Sequence, residues 1–204
     1  VRHARSEANA AGIWQGQGDA ALAQEGRHQA RMLEPRLADR QFDVVISSDL
    51  ARTQETAEFA GRTPDRIEKS WREMDLGAWE GRTFAEVAER HPDLLEAIRR
   101  GDAVSFGETG ETIGEFEQRI LDAFDRLVDE VGDEGDALVF THGGVIDAVV
   151  GRYFGRVQGR RTFPITTNTA MTVLAGEAGR SQGRPRVSLF NDATHLGHDA
   201  GATG

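Results

Sequence analysis

The chain has 204 residues, 38% of them hydrophobic, and a formal net charge of −10, which is the size and make-up of one well-buried globular domain. No apolar run reaches the ~18 residues of a membrane-spanning helix, and the acidic balance argues against nucleic acid and anionic membranes as partners. Cysteine is absent, which removes disulfides, thiolate nucleophiles and Cys-based metal centres; with a polar N-terminus that lacks a signal-peptide core, a cytoplasmic location is expected.

Val1-Arg2-His3 reads as the end of a strand. A buried strand usually runs ~5–6 residues, so further residues are expected upstream. Residues 26–37 read as a helix with Ala30, Leu33 and Leu37 on one face, and Pro35 is expected to kink or end it. Residues 43–47 are a short β-branched run that reads as a buried strand. A helix follows over 50–59, with Gly61 as its C′ residue. Residues 67–71 are a candidate for a further short strand. Thr83 with Glu86, and Thr112 with Glu115, form capping-box patterns. From the second box, Ile113, Phe116, Ile120, Leu127 and Val131 make a helical stripe that stops at Gly132. Residues 137–141 read as a strand, 145–154 as a helix closing at Gly155, and 169–174 and 187–190 as two more strands. Residues 176–185 read as a polar loop and 198–204 as a frayed tail. Strands alternating with helices predict a parallel sheet covered on both faces. The helical stretch 81–110 sits between strands and reads as an insertion over the carboxyl rim, a lid or a substrate wall. The chain is read as a single domain over 1–204.

Candidate chemistry gathers at the carboxyl ends of strands, where ligands of α/β proteins bind. For Arg2 and His3 to share a ligand, the strand must end there and the chain turn. An arginine fork matches phosphate oxygens, and a neutral imidazole is a competent nucleophile at phosphorus. Asn9 is placed to point back into such a pocket. The alternative is an Arg-His pair on the surface. Arg52 falls in the first turn of a helix, where the dipole disfavours a cation unless an anion sits in front of it; otherwise it is a solvated Arg. Glu73 lies in a segment with Trp71, Trp79, Gly77 and Gly81. Desolvation and a neighbouring phosphate would favour its protonated form, as an acid for a leaving oxygen. It is equally read as a surface carboxylate, and physics alone does not separate it from Asp75 or Glu80. His142 follows a convincing strand and precedes Gly143 and Gly144, which let a ligand approach the backbone; its alternative is a capping or core role. His28 and His91 read as helix-surface residues, and His195 has no comparable setting. Arg5 and Arg72 would favour a further negative charge on a ligand unless both are solvated. A metal is the competing use of His3 and His142, but neither lies in a His-Glu-x-x-His or Asp-x-Asp pattern, and arginines repel a cation. The Gly-rich loop with Lys of P-loop enzymes and the G-x-S-x-G elbow are both missing.

In order along the chain, Arg2-His3-Ala4-Arg5-Ser6-Glu7-Ala8-Asn9, Gln15-Gly16-Gln17-Gly18-Asp19, Ser48-Asp49-Leu50-Ala51-Arg52-Thr53-Gln54-Glu55-Thr56-Ala57, Arg72-Glu73 through Gly81, and Thr141-His142-Gly143-Gly144 resemble the motifs of the histidine phosphatase superfamily, also called phosphoglycerate-mutase-like. Asn168-Thr169-Ala170 and residues 191–196 also resemble it. Ala4 stands where the family usually has Gly, although chains of the family carry Ala there. The resemblance implies a three-layer α/β/α sandwich with a mostly parallel central sheet and a helical insertion over the active-site rim. It implies His3 as the phosphate-accepting nucleophile, Glu73 as the proton donor, and Arg2, Arg52 and His142 as the phosphate pocket. Asn9, Gln15, Gly16 and Gly143 would be further contacts. No cofactor and no metal are expected, and the partner is a small phosphorylated substrate. The expected reaction is hydrolysis through a phosphohistidine. A phosphoglycerate-type mutase is the nearest alternative, although such chains resemble longer ones, and a non-catalytic phospho-ligand-binding protein is an alternative of another class. Oligomeric state is not readable from the sequence; a homodimer is compatible with it.

Overall fold

The structure is a computed structural model that describes residues 1–154, 166–176 and 185–197. The expected helix closure at Gly155, most of the loop 176–185 and the tail from His198 lie outside the described residues.

Strand periodicity sorts the core into two faces. Strand β1 (Val44–Ser47) is buried along its whole length and pairs in parallel with β3 (Ala137–Phe140), from Val44 opposite Ala137 to Ser47 opposite Phe140. On the other side of β1 lies β2 (Arg66–Ile67), also parallel. Successive side chains of a strand point to opposite faces. Val44 and Ile46 therefore pack with Phe116, Ile120 and Val145 of the helices α6 (Ile113–Val131) and α7 (Gly143–Phe154). Val45, Leu138 and Phe140 pack with Leu33, Leu37 and Ala57 of α2 (Gln24–Leu37) and α3 (Ala51–Phe59). Each fully buried aliphatic or aromatic side chain among these contributes about 1.5–3 kcal/mol. The result is the α/β/α sandwich expected from the sequence.

The N-terminal segment extends the sheet beyond β3. Thr141 N–H donates to Val1 O at 2.9 Å and His3 N–H to Thr141 O at 2.8 Å. On its far side Arg2 N–H donates to Ala170 O at 3.2 Å, leading into β4 (Met171–Ala175), which pairs antiparallel with β5 (Arg186–Asp192). The N-terminal segment thus links the three-stranded parallel sheet β2-β1-β3 to the two-stranded antiparallel sheet β4-β5.

Several elements differ from the sequence reading. Of the expected strand 67–71 only Ile67 pairs, together with Arg66 before it, because β1 ends at Ser47 opposite Ile67; residues Lys69–Trp71 instead form a 3₁₀ turn. Pro35 does not stop α2 at once, and the helix runs on to Leu37. Helix α7 begins at Gly143 rather than Val145. Both capping boxes form, with Thr83 Oγ1 accepting from Glu86 N–H and Thr112 Oγ1 from Glu115 N–H, each at 3.2 Å. Within 81–110 the helices are α4 (Phe84–Arg90) and α5 (Pro92–Arg100), and the remainder is turns. This block has its own small core, in which Trp79, Val87 and Leu95 are buried with Trp14, Leu76 and Phe106. Among the described residues no helix is long and apolar enough to cross a membrane.

Candidate active site

The parallel order brings four chain segments to one rim. The register of Arg2 with Thr141 sets His3 beside His142, and their ring centroids are 5.2 Å apart. Arg52 is the second residue of α3, directly after β1. Glu73 follows the 3₁₀ turn after β2. Arg2, His3, Arg52 and Glu73 all line one cleft of about 690 Å³, as do Asn9, Gln15 and Gly16.

The tautomer of His3 follows from its partner. Nδ1 stands 2.7 Å from Ala4 O, and a carbonyl only accepts, so Nδ1 carries the proton and Nε2 keeps the lone pair. The same residue is held on its N-terminal side, because Ala4 N–H donates to Thr56 Oγ1 at 2.9 Å. That hydroxyl donates in turn to Arg52 O at 2.6 Å. Thr56 therefore ties the nucleophile turn to the arginine helix. Asn168 Nδ2 donates to His3 O at 2.9 Å, and Thr169, at a positive φ of 59° that is unusual for a β-branched residue, donates its N–H to Arg2 O. Burial holds the His3 pKa well below its usual value, with Arg52 and Arg2 adding to the effect. The imidazole is thereby neutral at neutral pH.

Arg52 is 1% exposed, and its fork is fixed by the loop 15–19. Nη2 donates to Gly16 O at 2.7 Å and Nη1 to Gly18 O at 2.8 Å, while Asp19 caps Ala51 N–H at 2.6 Å. Desolvation brings the Arg52 pKa down to about 10, which still leaves it charged. Nε donates to His142 Nδ1 at 3.2 Å. A guanidinium only donates, so His142 Nδ1 is an acceptor and its proton sits on Nε2, 3.0 Å from Ser48 Oγ. His142 is fully buried and does not line the cleft. Its pKa is pushed far down by burial first and then by Arg52, His3 and Arg2. In this structure it is a neutral strut behind Arg52.

Glu73 is held at the start of α7. Its Oε2 accepts Gly144 N–H at 3.0 Å and its Oε1 accepts Met74 N–H at 2.9 Å. A Cβ on Gly144 would run into this carboxylate. The loop beneath is clamped by Arg119 of α6, which forms a bidentate pair with Glu111 at 2.7 Å and donates to the carbonyls of Ser70, Arg72 and Glu73. Glu111 returns to Asp75 N–H at 3.0 Å. Gly143 lies under Arg2, whose guanidinium donates to Thr166 O.

The remaining candidates are placed as follows. Asn9, on the short helix α1 (Glu7–Ala10), accepts Ser6 N–H through Oδ1 at 3.2 Å, and Gln15 accepts from Ser6 Oγ at 2.8 Å. The Gly16 carbonyl serves Arg52. Arg72 is taken up by a bidentate pair with Asp49 at 2.6 Å, and Arg5 stands 3.5 Å from Glu25; neither lines the cleft. Asp75 accepts Gly77 N–H and Glu80 accepts Gln17 N–H, and of the three carboxylates only Glu73 lines the cleft. His28 is exposed on α2 as expected, whereas His91 joins α4 to α5 with its ring 5.7 Å from Trp79. His195 meets Thr169 Oγ1 at 2.9 Å, behind the segment that grips His3. Among the described residues no group of three or more His, Cys, Asp or Glu is arranged to hold a metal ion. Ser48, Thr56 and Asn168 stand in segments that resemble the family's motifs but were given no role from the sequence, and Arg119 was not singled out, because the partner a side chain meets across the fold has no local pattern.

The chain is similar in sequence and in fold to known proteins. The sequence model of the histidine phosphatase superfamily (branch 1) matches residues 1–193. The chain is 31% identical over 217 residues to the glucosyl-3-phosphoglycerate phosphatase of Mycolicibacterium vanbaalenii, covering 98% of this chain and 96% of that one. It is 30% identical over 155 residues to the adenosylcobalamin/alpha-ribazole phosphatase of Salmonella typhimurium, covering 74% and 76%. The structure of a mycobacterial glucosyl-3-phosphoglycerate phosphatase in complex with VO3 is similar with a TM-score of 0.78 at 27% identity, over 93% of this chain and 96% of that one.

Proposed function

Because the chain belongs to the histidine phosphatase superfamily, we propose that it hydrolyses phosphomonoesters of small metabolites by way of a phosphohistidine at His3. One observation carries this reading: the Nδ1–H of His3 is locked on Ala4 O, so the lone pair of Nε2 is the free one, on a residue that lines the cleft beside Arg2 and Arg52. In the first step Nε2 attacks phosphorus, the P–N bond forms and the bond to the leaving oxygen breaks. Arg2 and Arg52 neutralise the equatorial oxygens from fixed positions, so little reorganisation is needed as charge shifts. His142 acts through Arg52, holding its Nε edge in place. Glu73 protonates the leaving oxygen. The N–H groups of Met74 and Gly144 hold its carboxyl group in place at the cleft wall. In the second step the Glu73 carboxylate takes a proton from water as the water attacks phosphorus. The P–N bond breaks and inorganic phosphate leaves. The arginines supply the positive charge that a metal ion supplies elsewhere, so activity in the presence of EDTA is expected. Asn9, Gln15 and Gly16 complete the pocket wall, Gly143 lies behind it under Arg2, and residues 81–110 form a lid over it within a single domain.

The test is phosphate release from a panel of small phosphomonoesters by the wild type and His3→Ala. A loss of at least about 10³-fold is expected on removing the nucleophile, together with an acid-labile phosphoenzyme in the wild type alone. Equal rates in both proteins would refute the assignment. Isomerisation of a phosphorylated sugar acid without phosphate release would favour a mutase.

A further inference from the structure

Glu73 sits on irregular backbone, residues 72–76. Backbone of that kind beside a cleft has no ladder of its own, and its polar groups need partners from elsewhere. Here side chains supply them. The carbonyl of Trp71 accepts from Thr141 Oγ1 at 2.9 Å. Those of Ser70 and Arg72 accept from Arg119 Nη1 at 3.1 and 3.0 Å, and that of Glu73 from Arg119 Nη2 at 3.3 Å. The carbonyls of four successive residues are thus pinned, three of them by one guanidinium.

The guanidinium is itself fully committed. Its Nε donates to Glu111 Oε1 and its Nη2 to Glu111 Oε2, both at 2.7 Å. With the carbonyls of Ser70, Arg72 and Glu73, every N–H of the fork then has an acceptor. Glu111 is bound to the loop in its own right: its Oε2 accepts Asp75 N–H at 3.0 Å, and its N–H donates to Asp75 O at 3.0 Å. The pair therefore grips the backbone on both sides of Glu73. Neither Arg119 nor Glu111 lines the cleft, whereas Glu73 does. What the clamp controls is the place of the Glu73 carboxyl group, and a misplacement of about 1 Å at a reacting group can cost about 10²-fold in rate.

We propose that Arg119, oriented by Glu111, is the positioning residue of the proton donor: it sets Glu73 at the leaving oxygen and takes no part in holding the phosphate. This rests on the phosphatase reading above. In the step it serves, the Glu73 proton passes to the leaving oxygen as the P–O bond breaks and the P–N bond to His3 forms. An alkoxide needs that proton to leave, whereas a nitrophenolate departs without it. The test therefore compares kcat/KM for 2-phenylethyl phosphate and 4-nitrophenyl phosphate in the wild type and in Arg119→Lys, which keeps the charge but not the fork. Because kcat/KM runs only as far as departure of the alcohol, the later hydrolysis of the phosphohistidine does not enter. The phenylethyl value is expected to fall about tenfold or more and the nitrophenyl value less than about threefold. Glu111→Gln should move the ratio in the same direction, and Glu73→Gln should move it furthest. In the Glu73→Gln background Arg119→Lys should leave the ratio where it is, because no proton remains to be placed. An arginine that only supports the fold lowers both esters alike, so a ratio unmoved in Arg119→Lys and Glu111→Gln overturns the inference while leaving the phosphatase reading standing. If Arg119→Lys does not fold, Glu111→Gln decides alone. Further movement of the ratio in the Glu73→Gln background also overturns it, since Arg119 would then act on something other than the proton donor. No phosphate release from either ester by the wild type defeats the phosphatase reading and the inference with it.

Discussion

His3 and Arg52 are each defined by what a backbone carbonyl forces on them. Ala4 O fixes the proton of His3 on Nδ1, and burial beside Arg52 and Arg2 keeps the ring neutral well below its usual pKa. The nucleophile is therefore ready at neutral pH and remains so under mild acid. Once corrected for the second ionisation of the substrate, kcat/KM is expected to stay level from pH 7.5 to pH 6, and an acidic limb near 6.5 assigned to His3 would contradict the burial argument. Arg52 is a different case, because three of its N–H groups are spent on Gly16 O, Gly18 O and His142 Nδ1. What remains of the fork is aimed rather than merely charged. Lysine offers a point charge with rotating donors and matches no fork. Arg52→Lys should cost kcat/KM about 10²-fold or more, on the order of losing one aligned transition-state donor. Near wild-type activity in that variant would mean that charge alone suffices.

At the scale of elements, the site is built where one element stops and the next begins. Helix α7 begins two residues earlier than its apolar pattern indicates, at Gly143, and this earlier start supplies the N–H that holds Glu73. Gly144 thus answers to two demands. As a helical glycine it costs α7 about 1 kcal/mol relative to alanine, yet a Cβ there collides with the Glu73 carboxylate. The carboxylate is the end of a flexible side chain and can swing aside cheaply. Gly144→Ala is therefore expected to keep or raise the melting temperature while lowering kcat about tenfold or more; a loss of stability with activity intact would show that the glycine serves packing. The strands and the capped helices were legible because β-branched runs, capping boxes and 3.6-residue stripes are local signals. The stretch 67–71 was not, since whether it pairs depends on where β1 ends rather than on its own composition. The motif residues that line the cleft, Arg2, His3, Arg52 and Glu73, were legible through their order along the chain. The strut role of His142 was not, because it depends on the direction in which Arg52 and Ser48 approach the ring. Arg119 was not legible either, because it lies on a helix whose polar residues look like any solvated face.

Across the whole molecule, the fold holds two imidazoles neutral in one buried place. His3 and His142 both have pKa values pushed well below 6.5 by burial, whereas in the unfolded chain each takes a proton near 6.5. Below that pH the unfolded state binds more protons than the folded one, so stability is present above about 6.5 and is lost as pH falls towards the folded-state values. The loss is on the order of 1.4 kcal/mol per pH unit for each group. Asp49 and Asp192 act with the same sign, through their pairs with Arg72 and Arg36, but only near and below the ordinary carboxylate range. Self-repulsion works the other way, since the net charge of −10 at pH 7 shrinks on acidification. That contribution lies at the surface, where salt with a Debye length of ~8 Å screens it, while the buried pair is screened far less. The urea midpoint in physiological salt should therefore fall from pH 7 to pH 5, and His3→Asn, which removes one titrating ring, should fall less steeply. Inorganic phosphate at pH 7 should raise the midpoint of the wild type as any ligand of the folded state does, and should raise that of Arg52→Lys less. A midpoint that is flat or rises between pH 7 and 5 would mean that the two rings are not held neutral, and the neutral nucleophile would then need another origin.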